Sequence, residues 1–335
     1  MSLSRIKPSR IKPSRIKPSR IKPNRIKPHG HALADLDTTM DAVTTTVTLS
    51  LKEVPPVPVE AESLIPEQVA GKDEAHIGRL PLLVGKVPET VADWFHVSVS
   101  QTAGTAEGTA EGTAEGTAED AGHTALVLRG DLTRFKRLGE GMSCGRMVVD
   151  GPSGFHTGAR MSGGSLIING DAGDFSGAHM RGGLLVIRGN VGHYAAAAYR
   201  GETKGMRGGT LIVAGSAGQM LGARMRRGLI CVLGDTGDVT GFNMKAGTII
   251  VTGTSGARVG ARMVRGTVVL LSGAPALLPT FSYDCTYQPV IWTLLHRYLA
   301  QQGFAPVVDP WTRFRHYSGD ANEGGRGEVL VRDPS

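Results

Sequence analysis

The 19-residue stretch MSGGSLIINGDAGDFSGAH, from Met161 to His179, decides the fold, because its pattern recurs through the centre of the chain. A methionine begins each copy, and we number it position 0 of the repeat. The seven methionines are Met142, Met161, Met180, Met206, Met225, Met244 and Met263. They are 19 residues apart except after Met180, where the copy has 26 residues. Its seven extra residues, near the sequence AAAYRGE, predict a protruding loop, because insertions in repeat arrays fall in loops.

Glycine fills four columns of the repeat. Position 3 is Gly in all seven copies, and positions 9 and 12 are Gly in the first six. Position 16 is Gly in five of those six, with Ala196 as the exception. Each copy has one short apolar run, such as Leu166 to Ile168, which is long enough for a strand and too short for a helix. Such a unit cannot bury its own apolar face, whereas stacked copies can. The pattern predicts an all-β fold, a right-handed parallel β-helix (solenoid) of about seven 19-residue coils with small N- and C-terminal extensions.

Alternation along the short strands assigns side chains to faces. Positions 5 and 7, such as Leu166 and Ile168, should point into the core, and the methionine column should fill it too, since a thioether adapts to irregular space. Position 6 should then point outward, although it is apolar in every copy. The members of this outer stripe are Val148, Ile167, Val186, Ile212, Cys231, Ile250 and Val269. An apolar stripe of this kind predicts either contact with a partner protein or a cover made by other segments of the same chain.

A basic column lies at the junction between successive copies. Positions 18 and 1 supply a candidate binding row: Arg160, Arg181, Arg207, Arg224, Arg226, Lys245 and Arg262. Stacked cations could bind a polyanion. The alternative is an ordinary solvated face, where charged side chains usually lie.

The charge and composition divide the chain into four parts. Residues 1–40 contain five basic pentapeptides, SRIKP and NRIKP, and are expected to be a disordered tail. Residues 41–141 are expected to form a small module with a strand at 43–51, one short helix at 66–77 and a flexible GTAE insert at 104–119. Residues 142–273 are the predicted β-helix, with 14 Lys and Arg against six Asp and Glu. Residues 274–335 form a C-terminal extension.

The basic tail leaves one alternative function open. It could be an arm for nucleic acid, so that the chain acts as a polyanion- or nucleic-acid-binding β-helix protein. The competing explanation is expansion of a short coding repeat at a tolerant terminus, and the second micro-repeat, GTAE, favours it. Nucleic acid is therefore not the expected partner.

The sequence lacks the familiar catalytic and metal-binding motifs HExxH, the P-loop and GxSxG. His156, His179 and His193 occupy different repeat positions and do not form a ligand column. The three cysteines, Cys144, Cys231 and Cys285, are too few for a disulfide scaffold, which indicates reduced thiols and a cytoplasmic location. No apolar run approaches the roughly 20 residues of a membrane helix. We expect a chain without catalytic residues, bound metal or its own cofactor.

Three segments of the chain resemble a known family. They are GDLTRFKRLGEGMSCGRMVVDG (130–151), AAYRGETKGMRGGTLIV (197–213) and LLPTFSYDCTYQPV (277–290). The glycine repeat resembles the C-terminal domain of glutamate synthase large subunits. With these segments it is more closely similar to the C subunit of formylmethanofuran dehydrogenase and of the bacterial formyltransferase/hydrolase complex.

The resemblance implies a non-catalytic member of an enzyme complex in one-carbon metabolism linked to tetrahydromethanopterin. The partners it implies are the A, B and D subunits, of which A is amidohydrolase-like and D is the formyltransferase. The complex would use a methanofuran-type formyl carrier, whose glutamate-rich tail suits the basic row. The match in the tail segment favours the hydrolytic complex over the version that carries tungsten or molybdenum.

Overall fold

The computed structural model describes residues 45–101, 123–304 and 308–334. The SRIKP array and the GTAE insert lie outside the described residues. The strands are β1 Thr45–Leu51, β2 Val59–Glu60, β3 Pro81–Val84, β4 Val87–Thr90, β5 Phe95–Gln101, β6 Thr124–Arg129, β7 Phe135–Lys136, β8 Arg146–Asp150, β9 Ser165–Ile168, β10 Leu184–Ile187, β11 Arg207–Val213, β12 Arg227–Val232, β13 Thr248–Val251, β14 Gly266–Leu270, β15 Ser282–Tyr287, β16 Phe314–Gly319 and β17 Gly327–Arg332. The helices are α1 Pro66–Val69, α2 Glu74–Gly78, α3 Val91–Trp94 and α4 Val290–Gln301, and Ala321–Glu323 forms a 3-10 turn.

The described chain is mostly sheet, which confirms the predicted all-β class. Thirteen strands form one sheet in the order β15-β16-β17-β14-β13-β12-β11-β10-β9-β8-β6-β1-β5. The repeat strands β8 to β14 pair in parallel and in register, so that Leu166 lies opposite Leu185 and Leu185 opposite Leu211. Position 11 forms a second row of parallel bridges: Leu132, Ser153, Ala172, Val191, Ala217, Thr236 and Ser255. Successive copies therefore stack at two separate places along their length.

The stacking begins one copy earlier than the methionine pattern predicts. Strand β6 pairs in parallel with β8, and Leu132 joins the second row of bridges. Arg137, Gly139 and Gly141 have positive φ angles of 61°, 70° and 74°. They correspond to positions 14, 16 and 18 of the next copy. Parallel stacking thus extends to a segment before Met142, which the methionine pattern does not reveal, because a two-residue difference in strand register, Leu126 opposite Met147, hides the 19-residue spacing.

The glycine columns serve two different purposes. Gly164, at position 3, has φ +66°, and an added Cβ would lie 2.7 Å from the carbonyl oxygen of Gly145. Gly170, at position 9, has an ordinary φ, but its Cβ would lie 2.7 Å from the backbone nitrogen of Pro152. The first column therefore provides a left-handed corner and the second provides close contact between backbones, as the sequence predicts.

The inner face of the repeat is filled as expected. All seven methionines are fully buried, together with the side chains at positions 5 and 7, such as Leu166 and Ile168. They belong to one continuous core, which extends into the N-terminal module through Leu126, Leu128 and Phe135. This confirms the predicted inward positions and the packing role of the methionine column.

The outer stripe is covered mainly by the chain itself. Ile167, Val186, Ile212, Cys231, Ile250 and Val269 are buried in a second apolar cluster. Helix α4 supplies Trp292 and Leu299 to that cluster, and Phe304 and Phe314 complete it. The indole ring of Trp292 packs 5.3 Å from the ring of Phe314, and the Tyr298 hydroxyl lies 2.9 Å from Thr210 Oγ1. Of the two alternatives for the stripe, the intrachain cover is correct for these six residues. Val148, in the first copy, stays half-buried.

Polar side chains at position 10 link each copy to the next. The Asp171 carboxylate accepts the backbone N–H of Asn190 at 2.6 Å, and the Asn190 side-chain oxygen accepts the N–H of Ser216 at 2.9 Å. The Ser216 hydroxyl accepts the N–H of Asp235 at 3.1 Å, and Asp235 accepts the N–H of Thr254 at 2.7 Å. We call these residues the position-10 series. Their polar side chains therefore satisfy backbone donors and are not free for other chemistry.

The N-terminal module continues the large sheet and adds a small one. Strand β1 pairs with β5 and β6, whereas β2, β3, β4 and β7 form a separate four-stranded sheet. The single helix predicted at 66–77 is wrong, since two short helices, α1 and α2, stand there. Gly71 between them has φ +68°, and Asp73 begins α2 by accepting the N–H of His76. No helix in the described part of the chain is long and apolar enough to cross a membrane.

Candidate functional site

The position-1 cations form a row along the stack. The backbone N–H groups of Arg181 and Arg207 donate to the carbonyls of Met161 and Met180, both at 2.7 Å. Arg226 and Lys245 make the same bond to the methionine of the copy before them, both at 2.8 Å. The four residues therefore occupy equivalent places in successive copies. Within the described ranges, none of the four side chains has a carboxylate within 4.0 Å.

The row is partly sunk into the surface. Arg181 is exposed, whereas Arg207, Arg226 and Lys245 are half-buried. The Nε atoms of Arg207 and Arg226 are buried and have no hydrogen-bond partner among the described residues. A buried guanidinium N–H without an acceptor is unusual in a folded protein. We call Arg181, Arg207, Arg226 and Lys245 the cationic row.

The remaining three candidates, at position 18, already have partners within the chain. Arg160 pairs with Glu140 at 3.3 Å, and Arg262 pairs with Glu323 at 3.1 Å. The Arg224 guanidinium donates to the carbonyl of Glu202 in the insertion loop. The sequence placed all seven cations at one junction. Among the described residues, the structure separates them into four without a carboxylate partner and three that hold neighbouring segments.

His179 and Arg224 hold the insertion loop from both sides. The Nε2 atom of His179 accepts the backbone N–H of Tyr199 at 3.0 Å, and its Nδ1 lies 3.4 Å from the Glu202 carboxylate. This arrangement requires the proton on Nδ1. Burial lowers the pKa of His179; Glu202 opposes that shift, and Arg160 adds to it. The neutral imidazole is therefore the form that fits the loop.

An aromatic column at position 14 lies beside this loop. The rings of His156 and Phe175 stack with centroids 5.5 Å apart, and those of Phe175 and Tyr194 stack at 4.9 Å. Tyr199 from the insertion covers the column, with its ring 5.3 Å from His156 and 4.6 Å from His179. Burial lowers the pKa of His156, and the Arg137 charge adds to this effect. Sequence reasoning missed this column, although three ring-bearing residues at 19-residue spacing were the available signal.

The other histidine and cysteine residues of the repeat have structural surroundings. His193 accepts the N–H of Gln219 through Nδ1 at 3.0 Å, as an aspartate does at this position in other copies. Cys231 is fully buried in the outer cluster, and burial raises the pKa of its thiol to about 12. All three cysteines are free thiols. Among the described residues, no group of three His, Cys, Asp or Glu side chains could hold a metal ion.

Comparison with known proteins gives consistent similarities. No protein-family model matches the chain. The C subunit of the molybdenum-containing formylmethanofuran dehydrogenase 1 from Methanosarcina barkeri is 35% identical over 110 residues, which is 33% of this chain and 31% of the relative. The C subunit of the tungsten-containing formylmethanofuran dehydrogenase 2 from Methanothermobacter thermautotrophicus is 34% identical over 113 residues, or 34% and 36% of the two chains. The matched segment thus spans about a third of these curated relatives.

A solved structure extends the similarity to most of the chain. It is the X-ray crystal structure of the formyltransferase/hydrolase complex (FhcABCD) from Methylorubrum extorquens in complex with methylofuran. One chain of that complex superposes with a TM-score of 0.72 and is 32% identical. The match covers 85% of this chain and 99% of the other.

Proposed function

The chain belongs to the family formed by the C subunit of formylmethanofuran dehydrogenase and its counterpart in formyltransferase/hydrolase complexes, and on that premise we propose that it is the scaffold of such a complex. The observation that carries the proposal is the match over 99% of one chain of a formyltransferase/hydrolase complex. The complex would transfer a formyl group from formyl-tetrahydromethanopterin to a methanofuran-type carrier and release formate. Its other members would be the amidohydrolase-like A, the B and the formyltransferase D subunits.

We assign no catalytic residue to this chain. His156 stacks in the aromatic column, and His179 and His193 each accept a backbone N–H. A general base needs a free lone pair within reach of a substrate proton. His179 and His193 each use a ring nitrogen on a backbone N–H, and the Nδ1 atom of His156 is buried. The free cysteines agree with a reducing compartment, so the proposal includes a cytoplasmic location.

The scaffold role includes a proposal about the architecture. We infer that the stacked copies wind as a right-handed parallel β-helix, with residues 142–273 as its body. The segment from β6 to Gly141 stacks on the N-terminal end of this body, and the other flanking parts are extensions. The in-register parallel strands and the second row of bridges at position 11 support this arrangement. A repeat that makes two rows of parallel contacts with its neighbours gains its core from stacking.

The experiment for the scaffold role uses purified proteins. The chain alone, incubated with a formyl donor, should show no formyl transfer or formate release. Co-expressed with the A, B and D subunits, it should purify with them as one active complex. Turnover by the chain alone would support an independent enzyme instead. Salt-sensitive RNA or DNA binding that disappears on deletion of residues 1–29, without association with the other subunits, would support the nucleic-acid alternative.

We also propose that the cationic row binds the glutamate-rich tail of the carrier. Four cations at successive copies form a linear array, and none of them has a carboxylate partner among the described residues. Each exposed ion pair is worth only about 0 to 1 kcal/mol, so the effect must come from several together. Arg160, Arg224 and Arg262 would act differently, by holding the adjoining segments.

A triple variant tests the cationic row. Arg207→Ser, Arg226→Ser and Lys245→Ser together should raise the apparent KM of the complex for the polyglutamylated carrier, with little change for a carrier without the tail. Arg258→Ser is the matched control, because Arg258 is an exposed cation of the repeat that pairs with Asp238 at 3.7 Å, outside the row. Equal effects on both carriers, or no effect, would identify the row as an ordinary solvated surface.

A further inference from the structure

The outer side of helix α4 carries apolar side chains that are left largely exposed by the described chain. The inner side of the helix is used to cover the outer stripe, through Trp292 and Leu299. On the opposite side, Val290 is 79% exposed and Leu294 is 56% exposed, and Ile291 lies between them in the same exposed strip. An amphipathic cover helix would have polar residues there. The helix is therefore apolar on both sides along its first half.

Two further aromatic residues extend this strip. The Trp292 indole N–H donates to the carbonyl of Asp309 at 3.1 Å, and the Thr293 hydroxyl donates to that of Pro310 at 3.1 Å. These bonds hold the segment that carries Trp311, which is 68% exposed, against the start of α4. Tyr287, also exposed, ends β15 just before the helix. We call Tyr287, Val290, Ile291, Leu294 and Trp311 the α4 patch.

Two arginines lie close to the α4 patch in the chain, one on helix α4 and one just after Trp311. The guanidinium groups of Arg297 and Arg313 are exposed, and neither has a carboxylate within 4.0 Å in the described part of the chain. Of the nearby acids, Asp284 pairs with His316 at 3.0 Å, whereas Asp309 accepts the N–H of Trp311 at 2.8 Å and keeps its negative charge. The two arginines still outnumber this one carboxylate. An occupant complementary to this surface would have apolar side chains bordered by carboxylates.

We propose that the α4 patch is the surface on which a neighbouring subunit of the complex docks, through an apolar segment flanked by acidic residues. This inference rests on the proposed scaffold function. Tryptophan and arginine are the residue types enriched among interface hot spots, and exposed apolar patches on monomers are usually small. A second copy of this chain fits less well, because a two-fold contact would bring identical patches together with their unpaired arginines.

The test uses the full chain co-expressed with the A, B and D subunits. Leu294→Asp and Trp311→Ala, made separately, should each lower the amount of co-purified subunits at least about tenfold. The thermal unfolding of the isolated variants should match that of the unaltered chain, because both side chains are largely exposed. Val87→Asp is the matched control, since Val87 is also 56% exposed but lies on β4 of the N-terminal module. A photo-crosslinking amino acid in place of Ile291 should join this chain to one of the three other subunits.

Each possible result of this test either supports or overturns the docking proposal. Normal assembly of both variants would overturn the docking site and leave the scaffold proposal intact. A crosslink between two copies of this chain would show that the patch is a homodimer contact and would also overturn it. Failure of the unaltered chain to assemble with any of the other subunits would overturn both proposals. If Leu294→Asp does not fold, Arg297→Glu with Arg313→Glu replaces it, and the expected result is the same loss of assembly.

Discussion

The repeat strands have two apolar faces, and the two are buried by different means. On the inner face, every copy brings its own position 5, position 7 and methionine side chains, so the core is made of repeat packed against repeat. On the outer face, the stripe at position 6 is covered by helix α4 and its neighbours, which do not repeat. A repeat can specify the contacts between its copies. It does not specify what covers a surface that all copies share.

The largest expected effect comes from placing a charge in the outer stripe. Ile167→Lys with Ile212→Lys puts two ammonium groups beneath the covering segment, where both isoleucines are buried. An unpaired buried charge commonly costs about 3 to 5 kcal/mol, so the double variant should unfold or release α4. Circular dichroism melting and limited proteolysis would measure this.

Val148→Lys is the control for that experiment. Val148 belongs to the same column but is only half-buried, so the lysine can reach water and the loss of stability should be small. If the double variant kept its melting temperature and lost only its association with other subunits, the outer stripe would be an intersubunit surface after all.

The next largest effect distinguishes the inner face of the repeat from its outer face. Leu211→Ala removes a fully buried side chain of the inner core and should lower the free energy of unfolding by about 2 to 5 kcal/mol. Trp292→Ala removes the main contact of α4 and should make the segment around α4 sensitive to protease at temperatures where the repeat is still folded. If, in each variant, the repeat and the α4 segment unfolded at the same temperature, the two faces would form one cooperative unit.

A smaller effect is expected at the edge of the cover. Tyr298→Phe removes the hydroxyl that lies 2.9 Å from Thr210 Oγ1, at the point where α4 crosses β11. The loss should be about 1 kcal/mol, the usual net value of one hydrogen bond. Chemical denaturation of this variant and of Thr210→Val should give similar losses, and the double variant should lose little more. Additive losses would mean that the two groups do not interact.

The smallest effect expected is on the pH dependence of stability. It comes from the insertion loop and the aromatic column, and the α4 cover does not contribute to it. Tyr199 covers the aromatic column through contacts with His156 and His179, and burial lowers the pKa of both histidines below the ordinary 6.5. The unfolded chain then binds more protons than the folded one as the pH falls from about 6.5, so stability should decrease there. Melting temperatures at about pH 7.5 and about pH 5.5 should differ less in a His156→Phe, His179→Gln variant than in the unaltered chain. An unchanged difference would assign the pH dependence to other groups.

The sequence predicted those parts of the fold that depend on periodicity. The strand positions, the inward methionines and the glycine corners all follow from residues that recur every 19 positions. It missed the stacked segment before Met142, where the register of Leu126 against Met147 departs from that interval, and it predicted one helix where Gly71 separates two. It could not choose between covers for the outer stripe, because Trp292 lies far along the chain from the strands it contacts.

The seven candidate cations also combine features that the sequence could predict with features that it could not. The equivalence of the four cations of the cationic row was predictable, since position 1 repeats. The engagement of Arg160 by Glu140 and of Arg262 by Glu323 was not, because each pairing joins one copy to a segment that occurs once. A repeat pattern predicts the same surroundings for all residues at one position. Contacts with segments that occur only once then make those surroundings different.

The position-10 series has a direction. The side chains of Asp171, Asn190, Ser216 and Asp235 each accept the N–H of the position-10 residue in the copy that follows, and the series ends at Thr254, which only donates. Within this series the side-chain acceptor always belongs to the earlier copy and the backbone donor to the later one, whereas backbone bonds across the same junctions run both ways, as from the Ala172 N–H to the Asn190 carbonyl. Loss of copies from the C-terminal end leaves every remaining donor in the series satisfied, whereas loss from the N-terminal end exposes one. A chain emerging from the ribosome presents each acceptor of this series before the donor that it binds, so each newly made copy meets a side-chain acceptor that has already been synthesised.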